Sequence, residues 1–153
     1  YGAQRVRIKL SPVGRYQDMY DKNPLETYSY LLKQLDQKKI AYVQLAEMEA
    51  PNPKFKSDYE APENQMPNVA KALRPYFSGP IITNSNLTPE SGEKAITSGN
   101  ADLVSFAKNF INNPDLVERI KNGWALNQNF DFNTFFRGGE KGYTDYPVYS
   151  EAQ

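Results

Sequence analysis

From Arg5 to Pro12 the chain reads RVRIKLSP, with Val6, Ile8 and Leu10 alternating against Arg7 and Lys9. Period-two alternation predicts a strand with one buried face, because successive side chains leave opposite sides of the backbone. The next segment, PLETYSYLLKQLDQKK, places Leu25, Tyr28, Leu32 and Leu35 at helical spacing. A second, nearly continuous apolar run, IAYVQLAE at 40–47, reads as another strand. After it, MEAPNPKFKSDYEAPENQMP carries four prolines among alternating charges and predicts a long excursion loop, with a helix over 68–76 once Pro67 is passed. GPIIT at 79–83 is the third strand. Thr88 then stands as an N-cap, Pro89 at the first helical position, and Gly99 as the stop of a helix ending near Ser98. ADLVSF at 101–106 is the fourth strand. It runs through AKNFI into NPDLVERIKNG, where Asn113 is expected to cap, Pro114 to open the helix, Asp115 to suit its positive end and Gly123 to close it.

Strand followed by helix-compatible sequence thus recurs four times before an irregular tail. Apolar runs separated by helices predict an α/β fold with a parallel sheet. Four such units make either a small open sheet or half of an eightfold barrel, and local preference does not choose between them. In both, ligands gather at the carboxyl ends of the strands. The residues there are Lys9 with Ser11, Glu47 with Glu49, Asn84 to Asn86, and Ala107 with Lys108. Helix N-termini at that rim suit phosphate. Lys9 also reads as the outward lysine of an edge strand, and Lys108 as a solvated side chain. Glu47 and Glu49 share a face only if the strand continues through Met48, and the NSN at 84–86 is most simply a turn.

Composition narrows the classes. The 153 residues suit one domain, and 18 basic residues cancel 18 acidic ones, so no net field points to nucleic acid or a membrane surface. No apolar stretch approaches the roughly 20 residues that span a bilayer. No signal-like segment is present, and a start at Tyr1 suggests a processed product or one piece of something larger. Cysteine and histidine are both absent, which removes disulfides, thiol chemistry and any His-based nucleophile, base or metal site from this chain. The lack of cysteine fits a cytoplasmic location. Eleven Tyr and eight Phe serve either packing or the walls around a flat ligand. No dinucleotide, phosphate-loop or metal motif is present.

RVRIKLSP, AYVQLAE, GPIIT, ADLVSFAKNFINNPDL and GYTDYP, in this order, resemble the C-terminal half of the Old Yellow Enzyme family, FMN-dependent ene-reductases on a (β/α)8 barrel. The likeness runs from about Gly2 to Tyr149. Its most specific part is NPDLVERIKNG with the later TFF and GYTDYP. The resemblance makes the four strands the fifth to eighth of the barrel and residues 1–153 a single half barrel. It implies that Lys9 lies beside the flavin ring, that Ser85, Asn86, Ala107 and Lys108 hold the FMN phosphate, and that Tyr143 borders the substrate. By the same analogy Phe55, in the loop at 49–60, overhangs the site. Arginine is usual in the family where Lys9 and Lys108 stand, and lysine keeps the charge without the bidentate fork. Glycines are usual where Ser85, Asn86 and Ala107 stand, and one is expected near Arg7.

The family's substrate-binding His-His or His-Asn pair and its proton-donating tyrosine come from the other half of its barrel, so no catalytic residue is assigned here. The implied activity is NAD(P)H-driven reduction of activated alkenes through FMN, to which this chain supplies phosphate loops and part of the substrate wall. The alternative is a divergent, non-catalytic half barrel that has lost FMN and acts as a structural or interaction subunit. A phosphate-ligand binder without redox chemistry is a third reading. Open edges on the first and fourth strands predict either an N-terminal half-barrel chain as partner or a homodimer.

Overall fold

The computed structural model describes residues 2–14, 19–47, 66–85, 87–131, 133–134 and 139–150. The backbone forms two compact units, Tyr1–Ser105 and Phe106–Gln153. The first holds β1 (Arg7–Leu10), α1 (Pro24–Gln37), β2 (Tyr42–Ala46), α2 (Val69–Leu73), β3 (Ile81–Asn84), α3 (Pro89–Thr97) and β4 (Leu103–Ser105). The strands form one four-stranded sheet in the order β1-β2-β3-β4, and each pair of neighbours is parallel. The α/β class and the parallel sheet are therefore as the apolar runs predict.

One face of the sheet carries the core. Val43, Leu45 and Ile81 are wholly buried there, with Ile8 and Leu10 packed at its margin. Leu32 of α1, Val69, Ala70 and Leu73 of α2, and Phe77 close over them. Each large apolar side chain so buried contributes about 1.5–3 kcal/mol. In α1, Leu32 is buried and Tyr28 and Leu35 are partly so, whereas Leu25 faces outward. The register pairs Lys9 with Gln44, Gln44 with Ile82, and Ile82 with Leu103. Strand alternation therefore puts Arg7, Lys9, Tyr42, Gln44, Ala46, Ile82, Asn84, Leu103 and Ser105 on the opposite face.

The local stop and start signals divide into two groups. Thr88 caps α3 with a full capping box, its side chain accepting from Ser91 N–H while the Ser91 side chain accepts from Thr88 N–H. Gly99 follows with a φ of 71°, the left-handed stop a glycine accepts without strain. The helix expected over 68–76 is shorter: α2 ends at Leu73 and a 3-10 turn, Arg74–Tyr76, replaces its last turn. Pro75 removes a backbone donor at that point.

The second unit holds α4 (Lys108–Asn112) and α5 (Leu116–Asn122), the latter closed by Gly123 in the left-handed region. Asn113 does not cap α5; Asp115 precedes its first residue. The Asn113 side chain is fully buried, donating to the carbonyls of Asn109 and Asn127 while accepting from Asn127 N–H at 2.7 Å. A partner 14 residues away has recruited the side chain that local pattern assigns to a cap.

Candidate functional site

The carboxyl ends of the strands in the first unit collect four polar side chains of differing duty. Lys9 is exposed on β1 and, among the described residues, its side chain makes no hydrogen bond or ion pair. Beside it, Gln44 Nε2 donates to Ser105 Oγ at 3.1 Å. Asn84 Nδ2 donates to the same oxygen at 2.8 Å and to the Ser105 carbonyl at 3.1 Å. Two amides thus occupy the acceptor side of one hydroxyl, leaving its proton to donate elsewhere. The network ties β2, β3 and β4 together on the face opposite the core. Sequence reasoning left Gln44 and Ser105 out, because strand alternation shows that they share a face but not that they meet.

Ser85, directly after β3, has a φ of 81°. This is the left-handed region, in which a side chain costs on the order of 1–3 kcal/mol. Lys39 is the other non-glycine residue there, at 52°, and it follows the end of α1, where a left-handed stop is ordinary. No helix ends at Ser85. Its backbone holds a conformation suited to glycine, in the position where the sequence analysis expects a glycine loop. Its hydroxyl donates to Asn84 Oδ1 at 3.3 Å.

Glu47 has a structural task. Its carboxylate accepts from Val69 N–H at 2.6 Å, Ala70 N–H at 2.9 Å and the Thr83 hydroxyl at 2.9 Å. The first two are donors at the start of α2, which a helix cannot satisfy internally. Both oxygens of the Glu47 carboxylate are thus engaged in holding the start of α2 and Thr83. Glu49, Phe55 and Asn86 lie outside the described residues.

In the second unit, Ala107 adopts φ −84° and ψ −70°, a right-handed conformation that asks for no glycine. Lys108 opens α4 and is exposed. Tyr143 is also exposed, its N–H donating to the Glu140 carbonyl at 3.0 Å. The segment that follows Tyr143 is fastened to α5. Arg119, which is 5% exposed, donates to Asp115 Oδ1 at 2.7 Å, to the Ala125 carbonyl at 2.9 Å and to the Pro147 carbonyl at 3.2 Å. Asp115 Oδ2 accepts from Tyr149 N–H at 2.7 Å, and the Tyr149 ring stacks on Trp124 with centroids 4.4 Å apart. Burial pushes the Asp115 carboxyl up, but the Tyr149 N–H and the Arg119 guanidinium outweigh it and hold the group below its usual range.

Among the described residues no group of His, Cys, Asp or Glu could hold a metal ion, and no helix is long and apolar enough to cross a membrane. The structure therefore places Lys9 and Ser85 at strand ends of one sheet and assigns Ala107, Lys108 and Tyr143 to the second unit. What it offers chemically is an open cation, a glycine-like loop and a hydroxyl with a proton to give.

The chain is similar in sequence and fold to known proteins. The chain is 35% identical over 165 aligned residues to the flavin oxidoreductase hxnT of Emericella nidulans, covering 95% of this chain and 41% of that protein. It is 32% identical to a probable flavin mononucleotide-dependent alkene reductase of Leishmania infantum, covering 95% of this chain and 36% of the relative. The solved old yellow enzyme of Trypanosoma cruzi superposes with a TM-score of 0.83 at 31% identity, over 97% of this chain and 36% of that one. The chain thus spans about two fifths of the length of the curated relatives it matches. The model of the NADH:flavin oxidoreductase / NADH oxidase family matches residues 1–127, and the chain belongs to that family.

Proposed function

We propose that this chain is the C-terminal half of an Old Yellow Enzyme-like oxidoreductase, with β1 to β4 as strands five to eight of a (β/α)8 barrel. The observation that carries the reading is the left-handed backbone of Ser85. A non-glycine residue keeps a costly conformation where a phosphate loop needs one, and strain of that kind persists where the surroundings demand it. Ala107 takes a right-handed conformation, so its methyl group brings no backbone strain to the second phosphate loop.

The residues present fit FMN, whose own chemistry is to accept hydride from NAD(P)H and deliver it to an activated alkene. Ser85 and Asn86 would offer backbone N–H groups to the phosphate, and Ala107 with Lys108 would complete its grip. Lys9 would place positive charge beside the ring without first breaking an ion pair. Tyr143, and Phe55 from the stretch that precedes α2 in sequence, would wall the substrate. Groups that polarise the substrate and return a proton would come from a partner half barrel.

The chain, purified alone and with any partner, is expected to show flavin absorbance and to release FMN on denaturation. Colourless protein that ignores added FMN in both preparations sinks this reading and leaves the non-catalytic half barrel. Lys108→Ala should weaken FMN far more than riboflavin, which lacks the phosphate; equal loss of both counts against the phosphate role.

A further inference from the structure

β3 ends at Asn84, and the left-handed turn begins at the next residue, Ser85. A non-glycine residue keeps a φ of 81° only where its surroundings leave the chain little choice. Asn84 supplies that constraint. It is 9% exposed, and its backbone is fixed from two sides. Its carbonyl accepts from Glu47 N–H at 2.8 Å, and the parallel register pairs it with Ala46 of β2 and Ser105 of β4. Its side-chain amide is used at both ends. Nδ2 donates to Ser105 Oγ at 2.8 Å and to the Ser105 carbonyl at 3.1 Å, while Oδ1 accepts from Ser85 Oγ at 3.3 Å. Ser105 Oγ is held in turn by Gln44 Nε2 at 3.1 Å. A chain of side-chain hydrogen bonds therefore runs from the middle of β2, through the last residue of β4, to Ser85.

We infer that Asn84 and Ser105 are positioning residues that clamp the turn at Ser85 in its left-handed form before a ligand arrives. The clamp thereby sets how far this loop prefers a phosphate-bearing flavin to the same flavin without phosphate. That use of the turn rests on the phosphate-loop reading proposed above; the clamp itself does not. The φ of Ser85 fixes the direction in which the chain leaves β3, and with it the aim of the loop's backbone donors. Donors already aimed need no ordering when an anion binds, and affinity is gained by that saving. Glycine would adopt this φ unaided, whereas serine needs to be held there. With the Asn84 amide or the Ser105 hydroxyl removed, Ser85 is free to relax to a negative φ. The phosphate, whose charged oxygens depend on aimed donors, loses most by this, and the flavin ring loses little.

Asn84→Ala and Ser105→Ala cut the clamp, Ser105→Thr keeps the hydroxyl, and Ser85→Gly added to Asn84→Ala removes the need for it. The first readout is NMR of the flavin-free chain, in which a positive φ brings a residue's own amide and α protons together and gives an intense cross-peak between them. Wild type and Ser105→Thr are expected to show that peak at Ser85, and both alanine variants to lose it. The second readout is the ratio of FMN to riboflavin affinity, followed by flavin fluorescence on the chain alone and with any partner. The preference for FMN should fall about 10-fold in each alanine variant, the worth of one hydrogen bond to a charged group. Ser85→Gly should restore most of it to Asn84→Ala, which a general loosening of the sheet would not allow. A wild type without the Ser85 peak, a peak that survives in both alanine variants, or equal loss of FMN and riboflavin overturns the inference. If no preparation binds FMN, the phosphate reading falls, while the NMR still decides whether Asn84 and Ser105 hold the turn. Where one alanine variant does not fold, the other carries both readouts.

Discussion

The two faces of the sheet use the same backbone for opposite purposes. On the helix-covered face Val43, Leu45 and Ile81 are fully buried and stability comes from close packing. On the other face the Lys9 side chain is exposed and unpaired among the described residues, Gln44 and Asn84 share one serine hydroxyl, and Leu103 meets solvent. Substitutions on the first face should alter folding more than those on the second. Among the described residues of the first unit the buried core lies on one side of the sheet.

Leu45→Ala should break the covered face most severely, costing about 2–5 kcal/mol by loss of burial and the cavity left behind. Urea denaturation measures it, and a loss under 1 kcal/mol would show that the core tolerates collapse there. Glu47→Ala comes next at about 1.5–3 kcal/mol, since two α2 amides and the Thr83 hydroxyl lose a charged acceptor. Asp36 sets a smaller effect confined to acid. The Ser78 hydroxyl and N–H, with lesser help from Lys39, lower its carboxyl to about 2. A depressed carboxyl stabilises the fold above its unfolded value near 3.8, and that help fades as pH falls towards 2. The Tm difference between wild type and Asp36→Asn should therefore shrink across that window; a constant difference would exclude the linkage. Ser85→Gly should stabilise by about 1 kcal/mol through relief of the left-handed backbone. Lys9→Ala should change stability by no more than about 0.5 kcal/mol, the value for an unpaired surface site. A larger loss would mean that the uncovered face contributes to folding after all.

Elements set by local sequence were legible in advance. Thr88-Pro89 and Gly99 bound α3 because a cap, a fixed φ and a left-handed stop act within a few residues. The alternation of RVRIKL located β1, and four apolar runs between helices located a parallel sheet. What escaped depends on distant partners. Asn113 was claimed by Asn127 rather than by a helix start, and Glu47 by an α2 that begins 22 residues later. The sequence placed Lys9 and Ser85 at strand ends, as the structure has them, but not the backbone conformation of Ser85. Serine at 85 looks in sequence like a lost glycine, and only the structure gives its φ of 81°, a conformation glycine adopts without strain.

Glu47 has one more consequence. Its contact with Val69 joins the end of β2 to the start of α2, the two flanks of residues 48–65. With that joint made at its base, the number of residues in between is uncoupled from the register of the sheet. A change of sequence between them therefore leaves the end of β2 and the start of α2 tied to each other, so long as Glu47 keeps its two amide partners.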